Sequence, residues 1–264
     1  MINLGKRVHF CVPRFLMSKM FNRFLFCGFV MLSVSCLTHA GLIAYYSFDN
    51  PSNPGYDNSG NGHNLTMSSG PWSLVTVYSG LALSTSESYG PQGSNTSTSG
   101  MNYPTQNGFS VEYWFQMATT GSVVVRDYWE GVACGETFSL IYQADTQTVD
   151  FHVRRDFTNV NETTVEATVT GHQIGDWVHL LSVYNPDGYV ASLYIDNVLS
   201  GQKDMGGAMR SEIAPYLWIN GSPYGTDQGI IDEVKIYDYA VPEPGTLLLM
   251  GTGIMGWLRK RRTL

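Results

Sequence analysis

The middle of the chain alternates between apolar and polar positions with a period of two. From residue 109 to residue 117, every odd-numbered position is apolar, and the even-numbered positions are Ser110, Glu112, Trp114 and Gln116. Successive side chains of a strand point to opposite faces of a sheet, so this segment is predicted to be a strand with one buried face. No window in residues 41–241 shows a sustained 3.6-residue period, so no amphipathic helix is predicted there.

Similar apolar runs, separated by turn residues, recur along the same part of the chain. Asn185-Pro-Asp-Gly188 is typical of a hairpin turn, and residues 84–100, with nine Ser and Thr and three Gly, are predicted to be a surface loop. About a dozen short strands favour an all-β fold, an antiparallel sandwich. The predicted strands are 42–48, 109–117, 123–125, 138–142, 149–153, 163–170, 177–184, 189–195, 198–199, 217–219 and 230–237.

The N-terminal 40 residues have the pattern of a secretory signal peptide. Arg23 precedes an apolar run, residues 24–37, that is too short for a comfortable membrane span. Thr38-His39-Ala40 then places a small residue at the cleavage point, which predicts cleavage after Ala40 and a domain that begins at Gly41. An alternative is a lipoprotein signal that uses Cys36, although the expected apolar residue three places before this cysteine is lacking.

The C-terminal residues 241–264 combine three features in a fixed order. An apolar stretch, residues 245–258, would be about 21 Å long as a helix and predicts a short transmembrane helix. The basic cluster behind it would stay in the cytoplasm and leave the central domain on the other side. The residues that carry the pattern are Pro242, Glu243, Pro244, Arg259, Lys260, Arg261 and Arg262.

This tail resembles the PEP-CTERM protein-sorting signal of Gram-negative bacteria. The resemblance implies export across the inner membrane, with a signal peptidase as a partner during export. An exosortase would then recognise and remove the tail. The resemblance also implies a location in the cell envelope or the exopolysaccharide matrix, with a transient membrane anchor. The alternative is a simple C-terminal anchor.

Charge limits the partners of the central part. The whole chain has a net charge of −7, but residues 41–241 carry 6 Lys and Arg against 21 Asp and Glu, a net charge of −15. Nucleic-acid binding is therefore disfavoured, because phosphate recognition needs clustered positive charge. Cys134 is the single cysteine of this part, so no disulfide can form within it.

Three ordered stretches carry a second resemblance: Ala44–Asp49 with Asp57–Asn64, Gly175–Leu180 with Ser192–Val198, and Leu217–Gly221 with Gly229–Tyr237. In this order they resemble the LamG-like domains of the concanavalin A-like lectin/glucanase superfamily. The resemblance implies a jelly-roll sandwich of two curved antiparallel sheets over residues 41–240. It also implies binding of glycans or proteins, and in some relatives glycoside hydrolysis.

The polar face of strand 109–117 is the first candidate site. An aromatic platform stacks against the apolar face of a sugar, whereas amides and carboxylates bind its hydroxyls. Glu112, Trp114 and Gln116 are therefore candidate carbohydrate ligands, and Tyr128 and Trp129 are expected to extend the surface. The alternative is that a loop covers Trp114 and places it in the core.

Asp232 is the second candidate, because alternation puts it in phase with Ile230, Val234 and Ile236. A buried carboxylate needs a cation or backbone N–H donors. Oxygen-rich residues 57–61 are typical of loops that bind calcium. Asp57 and Asp232, with Asn61 or Asp49, are therefore predicted to hold a structural Ca²⁺. The alternative is that Asp57 caps a turn and Asp232 accepts loop amides.

A catalytic site is not expected. Hydrolytic relatives place two acids at i and i+4 on one strand, whereas Glu112 is followed on its face by Trp114 and Gln116, and the adjacent Asp232 and Glu233 should point apart. The predicted function is therefore a non-catalytic carbohydrate-binding or adhesion module. The alternatives are a structural or protein-interaction module without a sugar site, and a polysaccharide-cleaving enzyme.

Overall fold

The structure, a computed structural model, describes residues 41–67, 72–86, 92–94, 107–128, 137–156, 161–210, 216–220 and 228–241. The predicted signal peptide, its cleavage point at Ala40, the PEP residues and the C-terminal helix lie outside these residues. Within the described ranges, no helix is long and apolar enough to cross a membrane.

The described residues form fourteen strands and no helix longer than an isolated 3₁₀ turn. The strands are β1 (Leu42–Tyr46), β2 (Trp72–Val77), β3 (Gly80–Thr85), β4 (Gln92–Ser94), β5 (Phe109–Gln116), β6 (Ser122–Tyr128), β7 (Phe138–Gln143), β8 (Thr148–Arg154), β9 (Glu162–Thr168), β10 (Trp177–Asn185), β11 (Val190–Ile195), β12 (Val198–Asp204), β13 (Tyr216–Ile219) and β14 (Gly229–Tyr237).

These strands build two antiparallel sheets. The first sheet has eight strands in the order β12-β11-β10-β5-β14-β3-β2, and β1 pairs with β14 beside β3. The second sheet has six strands in the order β4-β13-β6-β7-β8-β9. The fold is therefore the predicted all-β jelly-roll sandwich.

The core lies between the sheets and is rich in aromatic side chains. Phe115 of β5 packs on Tyr142 of β7, with ring centroids 4.2 Å apart, so the two rings join the sheets. The hydroxyl of Tyr113 donates a buried hydrogen bond to the carbonyl of Leu140, 3.2 Å away. The alternation predicted for β5 is confirmed, because its odd-numbered side chains are buried and Trp114 faces outward.

Three strands of the structure were not predicted: β2, β3 and β4. The prediction of a loop over residues 84–100 was wrong where Ser84 and Thr85 end β3 and where residues 92–94 form β4. Both segments pair with strands that follow much later in the chain, β14 and β13. Such long-range pairing allows polar Ser- and Thr-rich segments to become strands, which local composition does not show.

Strand β14 contains a bulge next to Asp232. Asp232 pairs with Trp114 of β5 and Lys235 pairs with Glu112, so three steps along β14 match two steps along β5. Glu233 has a φ of 54°, the left-handed conformation that accommodates the extra residue.

After β14, the chain turns back over the outer face of the eight-stranded sheet, the face that points away from the second sheet. The Ser110 hydroxyl donates to the Tyr239 carbonyl, at 2.9 Å, and accepts from the Val241 N–H, at 3.0 Å. Ala240 and Val241 pack on an apolar patch formed by Leu181, Val183 and Tyr194. We call residues 238–241 the exit segment, because they are the last described residues of the chain.

Candidate functional site

A cavity of about 320 Å³ opens on the outer face of the eight-stranded sheet. It lies at the end of β5 that is farther from the exit segment. Its lining residues come from β2, β5, β10, β14 and the turn between β2 and β3: Val77, Tyr78, Ser79, Trp114, Trp177, Asp232 and Glu233.

Strand register brings the central residues together. Trp114 pairs with Asp232 of β14 on one side and with His179 of β10 on the other. Directly paired residues share a face, so these three side chains form one row across the sheet. Trp177 pairs with Gln116 and occupies the next row.

Two predictions about Asp232 were wrong because of the bulge in β14. Asp232 was expected on the apolar side of β14, but it shares the outer face with Trp114. Asp232 and Glu233 were expected to point apart, yet both line the cavity. The reason is the same in both cases, since the left-handed residue Glu233 interrupts the strict alternation of a regular strand.

Trp114 provides an exposed aromatic surface. Its ring lies against the imidazole of His179, with ring centroids 5.0 Å apart, and 39% of the residue remains exposed. The alternative that Trp114 belongs to the core is therefore wrong. A tryptophan held from one side and open to a cavity is suited to stacking against a ligand.

Asp232 is the buried acid of the cavity, with 7% of the residue exposed. Its Oδ1 accepts the N–H of Glu233 at 2.8 Å. The pKa of this carboxyl is raised to about 7, chiefly by burial and also by the negative charges of Glu233 and Asp49. The hydrogen bond from the Glu233 N–H and the positive charge of Lys235 lower the pKa, but they do not outweigh these effects. Such a shifted acid in a cavity is typical of a functional site.

Glu112 lies on the same face, one row away from Trp114, but its oxygens are already engaged. Lys235 Nζ lies 3.1 Å from Oε1, the Tyr237 hydroxyl donates to Oε1 at 2.8 Å, and His179 Nε2 lies 3.4 Å from Oε2. Burial alone would raise the pKa of Glu112, but these partners outweigh it and lower the pKa to about 2. Glu112 is thus ionised, and its contacts hold the side chains of Lys235, Tyr237 and His179 in place.

The other predicted carbohydrate ligands are spread over different places. Gln116 lies beside Trp177, and its side-chain amide donates to the Gly175 carbonyl at 3.0 Å. Tyr128 ends β6, which belongs to the six-stranded sheet, so β6 does not extend the surface that carries Trp114. Trp129 lies outside the described residues.

Five residues of the cavity lining were not predicted as site residues, among them the two aromatic residues Tyr78 and Trp177. Tyr78 is fully exposed in the turn between β2 and β3, and Trp177 begins β10. Trp177 lies two residues before His179 in the predicted strand 177–184, so alternation alone would have predicted that both side chains share one face. No signal pointed to Tyr78, because its strands were not predicted.

The predicted calcium ligands have backbone partners. The Asp57 carboxylate accepts the N–H groups of Tyr45, Ser59 and His63 at 2.9–3.0 Å, which is the pattern of a turn cap. The Asn61 amide donates to the Leu42 carbonyl. Among the described residues, no three His, Cys, Asp or Glu side chains form a cluster suited to a metal. The calcium site stays a prediction.

Comparison with protein families decides the classification. The model of the concanavalin A-like lectin/glucanases superfamily matches residues 91–244, more than half of the chain. The chain belongs to this superfamily. The PEP-CTERM protein-sorting motif matches residues 240–262, so the motif begins within the exit segment. This motif indicates export and membrane-associated sorting by an exosortase. No curated protein matches the sequence.

Solved structures confirm the lectin-like fold. The binding domain of Paraclostridial Mosquitocidal Protein 1 is 15% identical, with a TM-score of 0.60 over 79% of this chain and 51% of that chain. The botulinum neurotoxin serotype D binding domain is 13% identical, with a TM-score of 0.58 over 81% and 51%. The serotype D ligand binding domain in complex with N-acetylneuraminic acid is 14% identical, with a TM-score of 0.56 over 76% and 48%. The chain thus spans about half the length of these structures.

Proposed function

We propose that the protein is an exported carbohydrate-binding module without catalytic activity, whose sugar site is the cavity around Trp114. The observation that carries the proposal is an exposed tryptophan and a buried carboxyl, Asp232, that line one cavity. Aromatic rings bind the apolar faces of sugars, and a carboxyl group binds hydroxyls. Trp177 and Tyr78 would extend the stacking surface.

The place of action follows from the two ends of the chain. We propose that the signal peptide, residues 1–40, is removed after Ala40 and that residues 245–258 form a transmembrane helix until an exosortase acts on the tail. The folded module would then remain in the cell envelope or the extracellular matrix, where polysaccharide is available. The likeness to binding domains, one of them solved with a sialic acid, supports a glycan ligand in general terms.

The test is binding of the full-length chain, purified in detergent, to a panel of immobilised polysaccharides. We expect retention on one or a few of them, quenching of tryptophan fluorescence by the same glycan, and loss of both in Trp114→Ala. The matched control is Tyr56→Ala, since Tyr56 is also exposed but does not line the cavity. A folded protein that binds none of the glycans would instead support a structural or protein-binding role.

A further inference from the structure

The described residues that line the cavity combine aromatic rings with carboxyl groups. Its lining has two acids, Asp232 and Glu233, and none of the described residues that line it is Lys or Arg. A third acid, Asp49, accepts the N–H of Leu81 at 2.9 Å, just after the β2–β3 turn that lines the cavity. The cavity is therefore a region of negative potential.

Lys235, a cation next to the cavity, is shared between Glu112 and the cavity acid Glu233. Lys235 Nζ lies 3.1 Å from Glu112 Oε1 and 3.5 Å from Glu233 Oε2, outside the cavity lining. The bond that Asp232 forms engages Oδ1, so its Oδ2 has no hydrogen-bond partner within the described residues, although the residue is more than nine-tenths buried. Oδ2 is therefore free to accept a hydrogen bond from a ligand in the cavity.

The aromatic side chains favour a cationic ligand as well. The faces of Trp and Tyr rings carry negative electrostatic potential, so they attract ammonium groups as well as the apolar faces of sugars. In addition, residues 41–241 have a net charge of −15, which repels polyanions such as acidic polysaccharides.

From this arrangement we infer that the cavity recognises an amino sugar that carries a protonated amine, within a polymer of 2-amino-2-deoxyhexose units. The sugar ring would stack on Trp114, and its ammonium group would donate to the carboxyl oxygens of Asp232 and Glu233. The inference rests on the proposed function and names the class of ligand for the same site.

Three soluble β-1,4-linked hexasaccharides that differ at carbon 2 test this inference: glucose, N-acetylglucosamine and glucosamine hexamers. Affinities are measured by tryptophan fluorescence and calorimetry with the full-length chain in detergent at about pH 6, where a primary amine is protonated. Asp232, with a pKa of about 7, holds a proton at this pH, and the ammonium group has to displace that proton on binding. We expect the glucosamine hexamer to bind at least about tenfold more tightly than the other two, as a hydrogen-bonded charge pair would produce. Its affinity should also fall with added salt.

Charge variants separate the site from a general attraction of an acidic protein for a polycation. Asp232→Asn and Glu233→Gln should each weaken binding of the glucosamine hexamer by about tenfold, and Trp114→Ala should abolish it. Glu166→Gln removes one charge from an exposed position on β9 of the other sheet and should leave binding unchanged.

The outcomes distinguish the inference from the proposed function. If all three hexasaccharides bind equally and Trp114→Ala abolishes their binding, the preference for an amine is wrong and the sugar site stands. If the glucosamine hexamer binds but Glu166→Gln weakens it as much as Asp232→Asn does, the attraction is non-specific and the inference is overturned. If binding of every glycan survives Trp114→Ala, the site itself is wrong.

Discussion

At the scale of single residues, Glu112 is predicted to stabilise the outer face through its ionised form. Its pKa is lowered to about 2 from an ordinary value of 4.5, so the folded state favours the carboxylate. A lowered pKa in the folded state contributes stability above the ordinary pKa, and this contribution is lost as the pH falls from about 5 to 2. Glu112→Gln should therefore destabilise the protein by about 1–3 kcal/mol at pH 7, and much less at pH 2.

Urea unfolding at a series of pH values measures this difference. Glu166→Gln serves as the control, since Glu166 is exposed on β9 of the six-stranded sheet, whereas Lys235 and His179 belong to the eight-stranded sheet. A Glu112→Gln penalty of the same size at pH 2 and pH 7 would show that packing, not the ionised carboxylate, is responsible.

Asp232 is predicted to have the opposite effect. Its pKa is raised to about 7, so the folded state holds a proton that the unfolded state releases above about pH 4. Stability then falls as the pH rises from about 4 to 7. Asp232→Asn keeps the oxygen that accepts the Glu233 N–H, and should stabilise the protein by about 1–3 kcal/mol at pH 8 and by little at pH 4.

Thermal unfolding of both proteins with a chelator present is the measurement, because bound Ca²⁺ would also stabilise an ionised Asp232. If the wild-type protein loses stability on addition of the chelator, the predicted calcium site gains support. If Asp232→Asn is destabilised at pH 8 with the chelator present, the carboxyl is stabilised in its charged form and the argument fails. A gain in stability together with a loss of sugar binding would be typical of a functional residue.

At the scale of elements, the bulge in β14 determines which acids face the cavity. Glu233 has a φ of 54°, a conformation that is unfavourable for β-branched residues and easy for glycine. Glu233→Val should therefore be less stable than Glu233→Gly by about 1–3 kcal/mol, although valine is the better strand former. Both variants lose the hydrogen bond from the Tyr45 hydroxyl, so their difference reports on the backbone. Chemical denaturation measures the free energy of unfolding of both variants. If Glu233→Val proved the more stable, residue 233 would not have the left-handed conformation of the bulge.

The same element shows how far the sequence could predict the site. Alternation placed Trp114 and Glu112 correctly, because β5 is a regular strand with one apolar face. It misplaced Asp232, since one residue with a positive φ reverses the phase and leaves no mark in the pattern. Tyr78 and Trp177 join Trp114 only through pairing between strands far apart in the chain, which a single sequence does not reveal.

At the scale of the whole molecule, the outer face of the eight-stranded sheet is divided between two uses. The exit segment covers the end near Ser110, and the cavity opens beside Trp114, four residues along β5 and about 13 Å away. Val241, the last residue of the exit segment, thus lies at the covered end of the sheet, and the proposed sugar site lies at the open end. The point where the domain connects to the tail is therefore separated along β5 from the proposed sugar site.

This division predicts where the folded unit ends. A chain that stops after Val241 keeps the two hydrogen bonds of Ser110 and the cover over the apolar patch of Leu181, Val183 and Tyr194, whereas a chain that stops after Tyr237 loses both. The shorter chain also loses the hydrogen bonds from the Asp238 N–H to the Gly41 carbonyl and from the Ala240 N–H to the Asn107 carbonyl. It should be less stable by about 3–6 kcal/mol, from four hydrogen bonds and re-exposed apolar surface. Thermal unfolding of both chains, with the full-length protein as reference, measures the difference. Equal stability of the two truncated chains would mean that the exit segment only rests on the domain, and the sorting motif would then begin in a free linker.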